Sequence, residues 1–157
     1  MKILVDADSC PRAARDLVLR AAQRGGFGAV FVANRPIPGL AEFMELCPPG
    51  EGAADDRIVE LARPGDLAVT RDIPLAARLV ERGIAVMDDR GNVYNAENIR
   101  ERLSLRNFVV DLARQGLDTE RSPSYGKREL RAMANSLDRL LVKLNPTPPR
   151  GTWPGSA

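Results

Sequence analysis

The chain has 157 residues, of which 44% are hydrophobic and 28% charged, and its formal net charge is +2. That length suffices for one domain with a real core, and no apolar run approaches the ~20 residues that span a bilayer. Two cysteines are too few for a disulfide framework or a zinc site, and the absence of histidine removes His-ligated metals, Ser-His-Asp triads and paired-His ribonuclease chemistry.

Apolar runs alternate with amphipathic segments along the first half of the chain. Residues 2–6 are expected as a strand, carrying Ile3-Leu4-Val5. Residues 12–24 are expected as a helix, with Ala13, Leu17 and Ala21 spaced by four, Pro11 at its first turn and Gly25-Gly26 at its end. Residues 29–33 form a second strand, 34–40 a loop with two prolines and a glycine, and 43–46 a short strand. A second loop spans 48–53. A helix at 55–62, a strand at 67–70, a helix at 73–82 and a strand at 84–87 follow. After Met87 the alternation stops, and helices are expected at 97–115 and 127–144. The last places Leu130, Met133, Leu137, Leu140, Leu141 and Leu144 on one face. Repeated βα units imply an α/β domain with a mainly parallel sheet covered on both sides, the two C-terminal helices packing on that body. Residues 1–145 make one domain, and the Pro/Gly-rich residues 146–157 a flexible tail. Met1-Lys2 leads directly into the first strand, so no signal peptide is expected and a cytoplasmic location is the default.

Carboxylates are the best-placed candidates for chemistry. Asp6 and Asp8 follow the first strand, Asp55 and Asp56 open a helix after a Gly-rich loop, Asp72 follows the strand at 67–70, and Asp88-Asp89 follow the strand at 84–87. In a parallel sheet, ligands bind beyond the carboxyl ends of the strands. Each acid also has a bland role. Asp55, Asp56 and Asp72 are natural helix caps, and Asp88-Asp89 before Arg90-Gly91 is turn chemistry. Crowded carboxylates repel unless a cation neutralises them, and Mg²⁺ or Mn²⁺ suits an all-oxygen set. The metal ligands and catalytic groups expected are therefore Asp6, Asp8, Asp55 and Asp72. Thr70 is placed to hydrogen-bond a carboxylate or a phosphate oxygen. Cys10, at a helix start, is either a thiol whose pKa the helix dipole lowers or a buried inert one.

Charge is unevenly distributed. Residues 121–150 hold seven basic side chains against two acidic ones, a local +5, and the remainder sums to −3. A basic C-terminal helix beside an acidic body suits a polyanion, with Lys127, Arg128 and Arg131 steering it and Arg71 touching a phosphate or forming a structural ion pair. A solvated helix face is the alternative. RNA is the expected partner, no membrane contact is expected, and no feature sets an oligomeric state.

These motifs resemble a known family. Asp6-Ala7-Asp8-Ser9-Cys10-Pro11 is similar to the D-A-D-A-C-P opening of the YaiI/YqxD family of bacterial proteins. Val32-Ala33-Asn34, Ala54-Asp55-Asp56-Arg57-Ile58-Val59, Gly65-Asp66-Leu67 and Thr70-Arg71-Asp72-Ile73-Pro74-Leu75-Ala76 follow its pattern in order. So do Arg90-Gly91, Tyr94, Asn98-Ile99, Arg102-Leu103, Ala134-Asn135 and Leu137-Asp138-Arg139, and the resemblance spans roughly residues 1–144. It implies a three-layer α/β/α PIN-like domain, grouped with Mg²⁺- or Mn²⁺-dependent ribonucleases. By position Asp6 resembles the first-strand acid, Asp55 the helix acid and Asp72 the acid of the T-x-D motif. Asp8 belongs to the family's own opening. Where the family often shows G-F-D, Gly50-Glu51-Gly52 stands here, displacing an acidic loop position to Glu51. Asp88-Asp89 stands where Asn-Pro or similar residues are expected.

Three functions follow. The first is metal-dependent cleavage of a phosphodiester, with RNA as substrate. The second is a haloacid-dehalogenase-type phosphatase with Asp6 as nucleophile and Asp8 as acid/base. That chemistry usually needs a lysine between its motifs, and the only lysines are Lys2, Lys127 and Lys143. The third is a non-catalytic module binding RNA or protein, although 4% aromatic content gives little for base stacking. No G-x-x-x-x-G-K-[ST] run supports a Walker-type site.

Overall fold

The computed structural model describes residues 1–116 and 124–146. Strand β1 (Lys2–Asp6) is the centre of the architecture, and its side chains alternate between two cores. Ile3 and Val5 point to one face, where α1 (Arg12–Gly25) and α5 (Lys127–Leu144) pack. Leu4 points to the other, shared with α2 (Ala53–Leu61), α3 (Ile73–Glu81) and Ile99 of α4 (Asn98–Arg114). Burial on both faces explains the uninterrupted Ile3-Leu4-Val5 run, as in covered parallel sheets. The result is a three-layer α/β/α fold.

The remaining strands are β2 (Gly28–Ala33), β3 (Met44–Leu46), β4 (Leu67–Val69), β5 (Ala85–Met87) and β6 (Val93–Tyr94), in the order β3-β2-β1-β4-β5-β6. Strands β1 to β5 pair in parallel. Val5 lies between Phe31 of β2 and Val69 of β4. The chain first winds outward through β2 and β3, then returns across α2 to place β4 on the other side of β1. The order therefore reverses between β1 and β4, the position where open α/β sheets hold their ligands.

The expected elements stand with shifts of a few residues at their ends. The short strand expected at 43–46 begins at Met44, after a 3-10 turn at Ala41–Phe43. Strand β6 is a correction to the expectation that only helices follow Met87. It pairs antiparallel with β5, and two residues are too few to show an alternation. A 3-10 turn at Ala7–Ser9 carries the chain from β1 toward α1. Helix α5 buries Met133, Leu137, Leu140 and Leu141 from its expected apolar face. It is fastened to the β5–β6 hairpin by Ser136, whose hydroxyl donates to the Gly91 carbonyl at 2.6 Å. Gly91 has φ +87°, and a Cβ there would stand 2.5 Å from the Ala132 carbonyl oxygen, so only glycine allows this approach. No helix among the described residues is long and apolar enough to cross a membrane. From residue 147 on, the expected tail lies outside the described residues.

Candidate functional site

Asp6 ends β1 and is 7% exposed. Its Oδ2 accepts hydrogen bonds from the hydroxyls of Thr70, at 2.9 Å, and Ser9, at 3.1 Å. Thr70 follows β4 and is itself buried, and its oxygen accepts the amide of Asp72 at 3.0 Å. The neighbouring strand ends at the switch point are thus tied together by side chains. Of the two roles open to Thr70, the structure shows the bond to a carboxylate. Asp72 caps α3, accepting the Leu75 amide on Oδ1 at 3.0 Å.

Asp8 sits in the turn after β1, exposed, with Oδ2 accepting the Asn34 amide at 3.3 Å. Asp55 lies in the first turn of α2, whose cap position is Gly52 at φ +79°. Neither Asp55 nor Asp56 makes the cap, so the capping role considered for them is corrected. Asp55, half-buried, lines the same cavity of about 330 Å³ as Asp6, Asp8, Ser9, Asn34 and Glu51. Asp56 turns outward to Arg78 at 3.0 Å.

The electrostatics reflect this crowding. Burial raises the Asp6 carboxyl above its ordinary range. The Thr70 and Ser9 hydroxyls oppose that rise, and the charges of Asp72 and Asp8 add to it. Asp55 is pushed up to about 6, first by burial, then by the charges of Asp72 and Asp6 and a side-chain hydrogen bond to Asp72. These effects outweigh the helix N-terminus, which favours an ionised acid. Asp72 therefore interacts with both Asp6 and Asp55.

The other candidates lie elsewhere. Asp88 is consumed by its turn. Oδ1 accepts the amides of Arg90 and Asn92, both at 2.9 Å, and Oδ2 accepts the Asn92 side chain at 2.8 Å and the Tyr94 hydroxyl at 3.1 Å. Arg71 forms an ion pair with Asp89 at 2.6 Å. The late acidic pair of a dehalogenase-type site is thereby engaged. Lys127, Arg128 and Arg131 are exposed on the first turns of α5 and do not line the acidic cavity. Cys10 is buried, and its thiol is pushed up to about 12 by burial and by Asp89, so the helix dipole does not activate it. Ser9 escaped the sequence reading as a support for Asp6, although its place three residues after an Asp in a tight turn was a usable signal. At the amino edge of the sheet, Asp66 accepts the Lys2 backbone amide at 3.0 Å and its ammonium at 2.6 Å. Burial opposes its charge, but these bonds win and hold its carboxyl below the ordinary range.

The donors are all oxygen, and their like-charge strain is the kind a divalent cation relieves. Among the described residues, however, no group of three or more His, Cys, Asp or Glu is set to hold a metal ion. In general, all-oxygen donors without a protein cage suit a hydrated hard cation held by one or two carboxylates.

The family described as "Uncharacterized BCR, YaiI/YqxD family" matches residues 4–143. The chain belongs to the YaiI/YqxD family. Its similar relatives include a UPF0178 protein of Treponema pallidum (strain Nichols), 52% identical over 92% of this chain and 83% of that protein. Another, from Myxococcus xanthus (strain DK1622), is 47% identical over 96% of this chain and 100% of its own. The UPF0178 protein Pfl01_5469 of Pseudomonas fluorescens (strain Pf0-1) is 44% identical, over 92% and 97%. No solved structure matches this YaiI/YqxD chain.

Proposed function

We propose that this YaiI/YqxD protein is a Mg²⁺- or Mn²⁺-dependent phosphodiesterase of PIN-like type acting on RNA in the cytoplasm. The observation that carries this reading is the meeting of Asp6, Asp8 and Asp55 in one cavity beyond the carboxyl end of β1, with the charge of Asp72 acting on Asp6 and Asp55. When bound, the ion supplies charge neutralisation, phosphate orientation and a more acidic water. Asp6 and Asp8 supply negative charge beside β1, and Thr70 with Ser9 fixes the orientation of Asp6. Asp55, raised to about 6 without a metal by burial and by the charges of Asp72 and Asp6, offers a further oxygen to the ion from the same cavity. Lys127, Arg128 and Arg131, exposed on α5, attract the polyanion and set no chemistry.

The test is calorimetric titration of Mn²⁺ into the wild-type protein, Asp6→Asn and Asp72→Asn, paired with an RNA cleavage assay. Both variants are expected to stay folded and to lose metal binding and hydrolysis. Unchanged Mn²⁺ affinity in both removes the ligand assignment.

A further inference from the structure

Asp89 is an unusual carboxylate for its position. It is 1% exposed, yet its Oδ1 has no hydrogen-bond partner among the described residues. Its other oxygen receives Nε of Arg71 at 2.7 Å and Nη2 at 2.6 Å. The Arg71 side chain is 38% exposed, and its Nη1 makes no hydrogen bond among the described residues. One edge of the guanidinium is therefore locked inward and the opposite edge faces outward. The backbone beneath is held as well. The Tyr125 hydroxyl donates to the Asp89 carbonyl at 2.7 Å, and the Arg90 guanidinium lies 5.7 Å from the centre of the Tyr125 ring.

Arg71 stands between Thr70, which donates to Asp6, and Asp72, whose amide donates to Thr70. A buried carboxylate with half its acceptors unused adds little to stability over an apolar replacement. It is well suited to presenting a cation in a fixed orientation.

We propose that Asp89 is a positioning residue that fixes Arg71 as a phosphate subsite, so that Arg71 grips a nucleic-acid backbone phosphate on the β4 side of Asp6. This rests on the reading of the cavity as a phosphodiesterase site. A guanidinium held on one edge keeps its remaining N–H groups aimed at an anion without losing rotamer freedom on binding. A lysine cannot be held in that way, because its ammonium lacks the planar fork.

The experiment uses the full chain with a fluorescently labelled single-stranded RNA and Mn²⁺. Affinity is read by anisotropy across a salt series, cleavage by gel, and Mn²⁺ affinity by calorimetry. Arg71→Gln is expected to weaken RNA binding roughly tenfold and to reduce the salt slope by about 1, with Mn²⁺ affinity unchanged. Arg71→Lys is expected to restore the slope but only part of the affinity. Asp89→Asn keeps the guanidinium and its charge, and is expected to raise KM for RNA with kcat little altered. If Asp89→Asn does not fold, the two Arg71 variants carry the test alone. Wild-type RNA affinity and slope in Arg71→Gln, with wild-type cleavage intact, overturn the subsite and leave the proposed function standing. If the wild-type protein neither binds nor cleaves RNA, the subsite and the proposed function both fall.

Discussion

Thr70 donates its hydroxyl proton to Asp6 across 64 positions of sequence, at 2.9 Å. The same oxygen receives the Asp72 amide, so one small side chain sets the relative placement of two acids. Thr70→Val keeps the shape and removes both bonds. It leaves Asp6 with Ser9 alone and the Asp72 amide unpaired. The expected loss is about 1–3 kcal/mol in urea unfolding. An unchanged midpoint and slope would show that the hydroxyl does not hold the strand ends.

Asp55 gives a pH signature. Its carboxyl sits at about 6 in the folded protein against an ordinary 3.8. Between those values the folded state keeps a proton that the unfolded chain has released. Stability therefore falls as pH rises from about 4 through about 6, and the penalty is complete above that. In chelator, Asp55→Asn should melt higher than wild type at pH 7.5 and at nearly the same temperature at pH 4. A constant difference at both pH values contradicts the assignment.

The β5–β6 hairpin offers a purely structural test. Gly91→Ala places a methyl against the Ala132 carbonyl and demands a left-handed backbone from alanine. Loss of several kcal/mol is expected, on the scale of overpacking plus backbone strain, and proteolysis should attack α5 first. Wild-type thermal stability would mean the helix can shift to make room.

The exposed cations of α5 bear on encounter rather than chemistry. Changing Lys127, Arg128 and Arg131 together to Gln should slow RNA association and flatten its salt dependence, with Mn²⁺ affinity untouched. An unaltered association rate would assign these side chains to solvation alone.

Much of the fold was legible because its strands are covered on both faces. Ile3-Leu4-Val5 and Leu67-Ala68-Val69 are unbroken apolar runs, and the helices between them carry amphipathic spacing. Strand β6 was not legible, because Val93 and Tyr94 gain strand geometry only from pairing with β5. Ends of strands told where Asp6 and Asp72 would lie. They could not tell that Asp56 would turn to Arg78, since that choice depends on a distant surface, whereas the turn role of Asp88 was legible in Asp88-Asp89-Arg90-Gly91 and is borne out by its bonds to the Arg90 and Asn92 amides. An ion pair for Arg71 was among the roles expected, but its partner was hidden, Asp89 lying eighteen positions away.

Ile3 and Val5 share their core with Met133 and Leu137, so β1 waits for a helix that leaves the ribosome more than a hundred residues after it. A nascent chain that has not yet released α5 has only α1 to cover that side of its central strand. It must be guarded, or remain loosely collapsed, until α5 has emerged. Chains cut short before Lys127 should accordingly be found by proteases and chaperones rather than accumulate as a smaller folded form.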